Sequence, residues 1–140
     1  MPLNVIKKST LNINGIIAKT RVGMLNDFVR RHDIDILLAQ EVTSTEVLNI
    51  YGYETYINIG ASISGTAILA KRELHLTNIT TLPSGRAIAA VYKGIQLINI
   101  YAPSGTTKRT DREQFFNEEL PYLLQADHKK LITGVISTVC

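Results

Sequence analysis

The chain has 140 residues, a formal net charge of +3 and one cysteine, Cys140. A single cysteine excludes an intrachain disulfide framework and a cysteine-based zinc site, and it favours a reducing compartment. The 45% share of hydrophobic residues is that of a folded domain, and no apolar run approaches the roughly 18–20 residues of a membrane-spanning helix. The small net positive charge is compatible with a nucleic-acid ligand but does not require one.

The first 42 residues predict a strand, a helix and a second strand. Up to residue 14 apolar residues alternate with asparagines, which is typical of one or two strands. Residues 20–32 carry apolar side chains at helical spacing. The near-continuous apolar run over 34–42 indicates a buried strand that ends on Gln40 and Glu41. This order predicts a βαβ crossover unit.

The middle of the chain changes to short β-rich runs separated by turn residues. These runs cover residues 53–59, 65–71, 74–81, 87–92 and 96–101. Lys93 and Gly94 predict a tight hairpin, and a capping box formed by Thr110 and Glu113 predicts the start of a second helix. Residues 129–134 predict a last strand. The predicted fold class is α+β, a layered architecture rather than a doubly wound sheet.

Many of the basic residues stand as adjacent pairs at the ends of apolar segments. The pairs are Lys7-Lys8, Arg30-Arg31, Lys71-Arg72, Lys108-Arg109 and Lys129-Lys130. The simpler interpretation is that they are solvated ends of strands and helices. The alternative is a set of phosphate contacts around one face.

Three polar clusters follow apolar strands and are candidate functional residues. They are Asn12 with Asn14, Gln40 with Glu41, and Asn99 with Tyr101. A carboxylate at a strand end can hold a hard cation, and a tyrosine hydroxyl can hydrogen-bond a phosphoryl oxygen at which charge develops. The ordinary explanations are a capped turn, a solvated carboxylate and a half-buried ring. The histidines, His32, His75 and His128, show no ligand spacing.

Four segments of the chain occur in an order that is found in one known superfamily. They are Thr10-Leu11-Asn12-Ile13-Asn14-Gly15, Leu37-Leu38-Ala39-Gln40-Glu41-Val42, Gly65-Thr66-Ala67-Ile68-Leu69 and Leu97-Ile98-Asn99-Ile100-Tyr101-Ala102-Pro103. This series resembles the endonuclease/exonuclease/phosphatase superfamily, most closely the apurinic-endonuclease-like domains of LINE-type non-LTR retrotransposons. The stretches 83–87 and 112–116 fit that branch too.

The resemblance covers residues 3–134, and residues 135–140 form a tail without a family counterpart. It implies the N-terminal part of a four-layer α/β sandwich, mainly one sheet with its helices and the start of the second. A sheet face that is built to pack on a partner is then expected to be exposed.

The resemblance also implies roles for single residues. Asn12 matches an active-site asparagine, and Tyr101 matches the tyrosine that contacts the scissile phosphate. Glu41 matches the glutamate that binds Mg²⁺ or Mn²⁺. Asn14 matches a metal-site position that is acidic in abasic-site enzymes and commonly asparagine in LINE-type domains. The implied activity is metal-dependent hydrolysis of a phosphodiester, the nicking of one DNA strand in the nucleus.

The sequence departs from the family pattern after Gly134. The family continues with Asp-Phe-Asn and later has a Ser-Asp-His-type segment, whereas Val135 to Cys140 follow here. In the family that aspartate orients or activates the attacking water, that asparagine contacts the phosphate, and the histidine with its carboxylate partner is central to hydrolysis. Because catalytic groups that act as a unit are strongly non-additive, this chain is expected to be inactive, as the product of a truncated reading frame.

Two other functions remain open at this point. One is a non-catalytic fragment that binds nucleic acid or a partner and keeps the Asn, Glu and Tyr residues of the site. The other is a phosphoesterase of the same superfamily that acts on a lipid or inositol phosphate, which the LINE-like segments disfavour.

Overall fold

In the computed structural model, the described residues are 6–12, 19–42, 49–60, 65–102, 109–124 and 129–135. They form eight strands and two helices: β1 (Lys8–Asn12), α1 (Lys19–Arg31), β2 (Ile36–Val42), β3 (Tyr53–Asn58), β4 (Gly65–Lys71), β5 (Thr77–Thr81), β6 (Ala87–Tyr92), β7 (Ile95–Tyr101), α2 (Arg109–Gln114) and β8 (Lys129–Val135). After α2 the chain continues in a π-helical turn, Phe115–Glu119, and a 3-10 turn, Leu120–Leu123. Within these residues no helix is long and apolar enough to cross a membrane.

The strands form two four-stranded sheets. The first sheet has the order β1-β2-β4-β3, and the second has the order β5-β6-β7-β8. β1 and β2 are parallel and are connected through α1, which confirms the predicted crossover unit. β7 and β8 are also parallel, while the remaining neighbours are antiparallel. Lys93 and Gly94 both have positive φ in the β6–β7 hairpin, which matches a type I′ turn.

Three apolar clusters hold four layers together. The first lies between α1 and the outer face of the first sheet and includes Leu25, Val29, Leu37, Ala39 and Val42. The second lies between the two sheets and includes Ile36, Leu38, Ile68, Ile88 and Leu97. The third lies between the second sheet and the segment after α2 and includes Ile98, Ile100, Phe115, Leu120 and Leu123. The fold is therefore an α+β sandwich with helix, sheet, sheet and helix layers.

Two predictions are wrong in detail. The inner face of the first sheet is not exposed, because the four strands of the second sheet cover it and Leu38 and Ile68 retain at most 1% exposure. The capping box is not formed, because α2 begins at Arg109 and the Glu113 carboxylate accepts a hydrogen bond from the Arg109 Nε at 3.0 Å.

Candidate functional site

A β-bulge in β2 changes the direction of Glu41. Gln40 pairs with Thr66 of β4 and Val42 pairs with Gly65, so that Glu41 has no partner on that strand. Val42 packs in the cluster under α1, where a regular alternation would place Glu41. Glu41 has a φ of 58°, a left-handed conformation that costs a non-glycine residue about 1–3 kcal/mol. A bulge of this kind redirects a side chain, here toward the inter-sheet side of the first sheet.

Tyr101 of the second sheet meets the redirected carboxylate. β7 alternates regularly, with Leu97 between the sheets and Ile98 and Ile100 on the outer face. Tyr101, the last residue of β7, donates a hydrogen bond from its hydroxyl to the Glu41 Oε1 at 2.9 Å. We call the end of the sandwich at which β2 and β7 end the rim. Two strands from different sheets thus present a half-buried carboxylate and phenol together at the rim.

The environment of Tyr101 favours its protonated form. Burial raises the pKa of the phenol most, and the hydrogen bond to Glu41 and the charge of Glu41 raise it further. The Arg86 guanidinium opposes this shift. At neutral pH the hydroxyl is therefore a hydrogen-bond donor.

Arg86 brings a cation to the same place. Its Nη1 donates to the Tyr101 carbonyl oxygen at 3.2 Å, and the Tyr101 N–H donates to the Arg86 carbonyl oxygen at 2.7 Å. The sequence alone does not identify Arg86 as part of the site, because its contact with Tyr101 joins residues 15 positions apart. The one available signal is that Arg86 lies in the stretch 83–87 that fits the resemblance.

The turn that carries Arg86 is held against the first sheet by a close backbone contact. A Cβ on Gly60 would lie 2.0 Å from the Ser84 carbonyl oxygen, and a Cβ on Gly85 would lie 2.2 Å from the Gly60 nitrogen. The Thr66 hydroxyl donates to the Gly85 carbonyl oxygen at 3.1 Å, and the Asn58 Nδ2 donates to the Leu82 carbonyl oxygen at 2.7 Å. Only glycine permits backbones to approach this closely, so this junction fixes the place of Arg86 relative to Glu41.

The structure places the other predicted site residues differently. Asn12 is the last residue of β1 and lies in register with Gln40, so its backbone is at the rim. Asn14 lies outside the described residues. Gln40 and Asn99 are not at the rim: they are 1% and 0% exposed and lie between the sheets. His32 and His75 are exposed, and His128 lies outside the described residues.

The basic pairs Arg30-Arg31 and Lys71-Arg72 lie far from the rim. Lys71, at the other end of β4, places its Nζ 2.6 Å from the Asp33 Oδ1 and 3.1 Å from the Asp35 Oδ1. Arg30, near the end of α1, donates to the Asn26 side chain and to the Tyr51 carbonyl oxygen. Because these cations bind protein groups away from Glu41 and Tyr101, the simpler interpretation fits them.

We expect the Tyr101 pKa to report its contact with Glu41. Glu41→Gln should lower the pKa of Tyr101 because the negative charge is lost, while burial keeps it above the ordinary value of about 10. Arg86→Gln should raise it, since the guanidinium favours the phenolate. The ultraviolet absorbance of tyrosinate, taken as the difference between each protein and its Tyr101→Phe counterpart, measures this pKa. Equal Tyr101 values in the Glu41→Gln and parent proteins would contradict the contact.

Comparisons with known proteins identify the fold. No protein-family model and no curated protein sequence matches the chain. An AP endonuclease from Archaeoglobus fulgidus is similar in structure, with a TM-score of 0.72 and 20% identity, covering 93% of this chain and 56% of that one. The 3′ phosphatase NExo from Neisseria, bound to a product DNA hairpin, has a TM-score of 0.73 and 20% identity, covering 93% and 57%. Truncated TDP2 from Caenorhabditis elegans has a TM-score of 0.62 and 21% identity, covering 82% and 53%.

The chain therefore spans a little more than half the length of each of these structures. At identities of 20–21% the likeness establishes the shared fold, and all three proteins belong to one superfamily. The chain has the fold of the endonuclease/exonuclease/phosphatase superfamily.

Proposed function

We propose that this chain is an endonuclease-like domain of the metal-dependent phosphodiesterase type that acts on DNA. In this proposal it carries the glutamate and the tyrosine of the active site. The observation that carries this proposal is the bulge at Glu41, which directs a carboxylate onto Tyr101 at the carboxyl ends of two strands. The solved structures with the same fold include an AP endonuclease and a phosphatase bound to a DNA product, which supports DNA as the substrate class.

The donor chemistry of the rim fits Mg²⁺ or Mn²⁺. Both ions take oxygen ligands, and Mg²⁺ commonly keeps several waters while one or two carboxylates bind it. Glu41 supplies one carboxylate, of which Oε1 accepts the Tyr101 hydroxyl. Across the described ranges no three His, Cys, Asp or Glu residues are grouped for metal binding. On the resemblance, we assign Glu41 as the anionic ligand and Asn14 as its neighbour in the site. An ion held there by Glu41 would neutralise phosphate charge and stabilise the leaving oxygen.

The residues of the rim have separate tasks in this proposal. When a phosphate is bound, the Tyr101 hydroxyl, protonated at neutral pH, would donate its one hydrogen bond to a phosphate oxygen instead of to Glu41. Asn12 matches the family's first active-site asparagine by resemblance. Arg86 adds positive charge near the position at which negative charge develops. A tyrosine and an arginine that are preorganised in this way stabilise the charge of the transition state without reorganising during the reaction.

The finer assignment is a DNA-nicking domain of the non-LTR retrotransposon type that acts in the nucleus. It rests on the four ordered segments and the stretches 83–87 and 112–116. As part of this assignment, we propose that the chain by itself does not nick DNA, because Val135 stands where the family has its aspartate.

A plasmid assay tests the activity. Supercoiled plasmid incubated with this chain and Mg²⁺ or Mn²⁺ should stay supercoiled to the same extent as with Glu41→Ala, since Val135 replaces the family's aspartate and the loss of one group of a catalytic unit removes most of the rate. Nicking by the parent chain that Glu41→Ala abolishes would contradict the proposed inactivity and would establish the chain as an endonuclease.

The alternative function is a non-catalytic fragment that binds nucleic acid. Val135 at the aspartate position favours it. The two functions differ in their use of metal. A phosphodiesterase site requires Mn²⁺ to bind through Glu41, whereas a binding fragment predicts salt-dependent DNA affinity that neither Mn²⁺ nor Glu41→Gln changes.

A further inference from the structure

A buried amide, Asn99, ties the two sheets together directly below the rim. Its Nδ2 donates to the carbonyl oxygens of Ala39 at 2.9 Å and Ala67 at 2.8 Å, which are cross-strand partners in the first sheet. Its Oδ1 accepts a hydrogen bond from the Gln40 Nε2 at 2.7 Å. Asn99 is fully buried, so these contacts replace the water that its amide would otherwise bind.

Gln40 extends this bridge to a fourth strand. Besides Asn99, its Nε2 lies within hydrogen-bond distance of the Thr10 Oγ1 in β1 at 2.9 Å. The two amides therefore join β1, β2, β4 and β7. We call this set of contacts the amide bridge.

The amide bridge adjoins both residues of the candidate site. Gln40 immediately precedes Glu41, and Asn99 is two residues before Tyr101 on the same face of β7. The Ala39 carbonyl that Asn99 holds belongs to the last regularly alternating part of β2 before the bulge.

We propose that Asn99 and Gln40 are positioning residues that hold the bulge and thereby keep the Glu41 carboxylate on Tyr101. Glu41 occupies a strained backbone conformation, so relaxation of the bulge into regular pairing would remove this strain and lower the free energy of β2. Regular pairing would turn Glu41 to the opposite face of the sheet, because a shift by one residue exchanges the two faces of a strand. The amide bridge opposes this shift by fixing the residues before the bulge to a strand of the other sheet.

A buried amide outside the amide bridge provides the matched comparison. Gln96 lies in β7, is as buried as Asn99, and donates from its Nε2 to the Leu123 carbonyl oxygen on the outer side of the second sheet. Gln40→Met and Gln96→Met are the same substitution at two buried glutamines. Only Gln40 belongs to the amide bridge.

The experiment observes the Tyr101 ring directly. In protein with ¹³C-labelled tyrosine, the Tyr101 NMR signal is assigned from its loss in Tyr101→Phe, and Glu41→Gln defines its position without the carboxylate. Gln40→Met and Asn99→Leu should each move the signal toward the Glu41→Gln position, whereas Gln96→Met should leave it in place. An unmoved Tyr101 signal in folded Gln40→Met, or an equal shift in Gln96→Met, would overturn the proposal. If Asn99→Leu does not fold, Gln40→Met alone tests the proposal, because the Gln40→Met protein keeps all contacts of Asn99 to the backbone.

A second readout rests on the proposed function. Mn²⁺ affinity should fall at least tenfold in Gln40→Met and stay unchanged in Gln96→Met. If the parent protein binds no Mn²⁺, the proposed function fails, while the tyrosine signals still decide whether the amide bridge positions Glu41. Equal Mn²⁺ affinities of the parent protein and Gln40→Met would overturn the positioning role at the metal.

Discussion

Gly85→Ala is expected to lower the free energy of unfolding by more than about 4 kcal/mol, at the upper extreme of single substitutions. Gly85 has a φ of 81°, which an L-residue rarely adopts, and its new Cβ would lie 2.2 Å from the Gly60 nitrogen. The atom that this Cβ meets belongs to the backbone, so no flexible side chain can move aside to relieve the clash. The turn has to leave the first sheet, and Arg86 and Tyr101 move with it.

Gly23→Ala is the control for this substitution. Gly23 lies within α1, and a Cβ there would meet no atom within 4 Å apart from its chain neighbours and the backbone of its own helix. Because alanine is the better helix former, this change should stabilise the protein by about 0.5–1 kcal/mol. Urea unfolding followed by circular dichroism measures both effects. A Gly85→Ala protein within 1 kcal/mol of the parent, where about 4 kcal/mol is expected, would show that the two backbones are not in contact.

Val135→Asp is expected to raise the Mn²⁺ affinity at least about tenfold, which corresponds to roughly 1.4 kcal/mol. In the parallel pair of β7 and β8, position 135 is in register with Tyr101, whose hydroxyl binds Glu41. By this register, an aspartate at position 135 is expected on the same face of the second sheet as Tyr101, and divalent ions of this class are commonly held by one or two carboxylates. Without metal the two negative charges repel, so the variant should be less stable until Mn²⁺ is added.

Ile132→Asp separates this effect from a general gain of negative charge. Ile132 lies in the same strand, is 47% exposed, and is in register with Ile98 rather than Tyr101. Its substitution should leave the Mn²⁺ affinity within twofold, about 0.4 kcal/mol, of the parent value. Calorimetric titration compares the two variants. Equal affinities in Val135→Asp and Ile132→Asp would contradict the placement of position 135 at the metal site.

The buried strands could be predicted from the sequence. β4 and β6 have the bounds that the short apolar runs predict, since strands covered on both faces leave a continuous apolar signal. β5 begins later than predicted, at Thr77, because Leu74 belongs to a 3-10 turn and His75 has a positive φ.

The geometry of the site could not be predicted in the same way. The bulge at Glu41 depends on the pairing of Val42 with Gly65, which is distant in sequence, and nothing within residues 34–42 signals it. The sequence predicts that Gln40 and Asn99 lie at strand ends. The strands of the second sheet cover them, and they satisfy each other over a separation of 59 residues.

Binding of Mn²⁺ to the parent chain and to Glu41→Gln, followed by electron paramagnetic resonance, tests the proposed site most directly. The parent chain should bind one ion at the rim, and Glu41→Gln should weaken that binding at least about tenfold, roughly 1.4 kcal/mol, because the anionic ligand is lost. Equal binding by both proteins would contradict the proposal that the bulge in β2 presents Glu41 as a metal ligand.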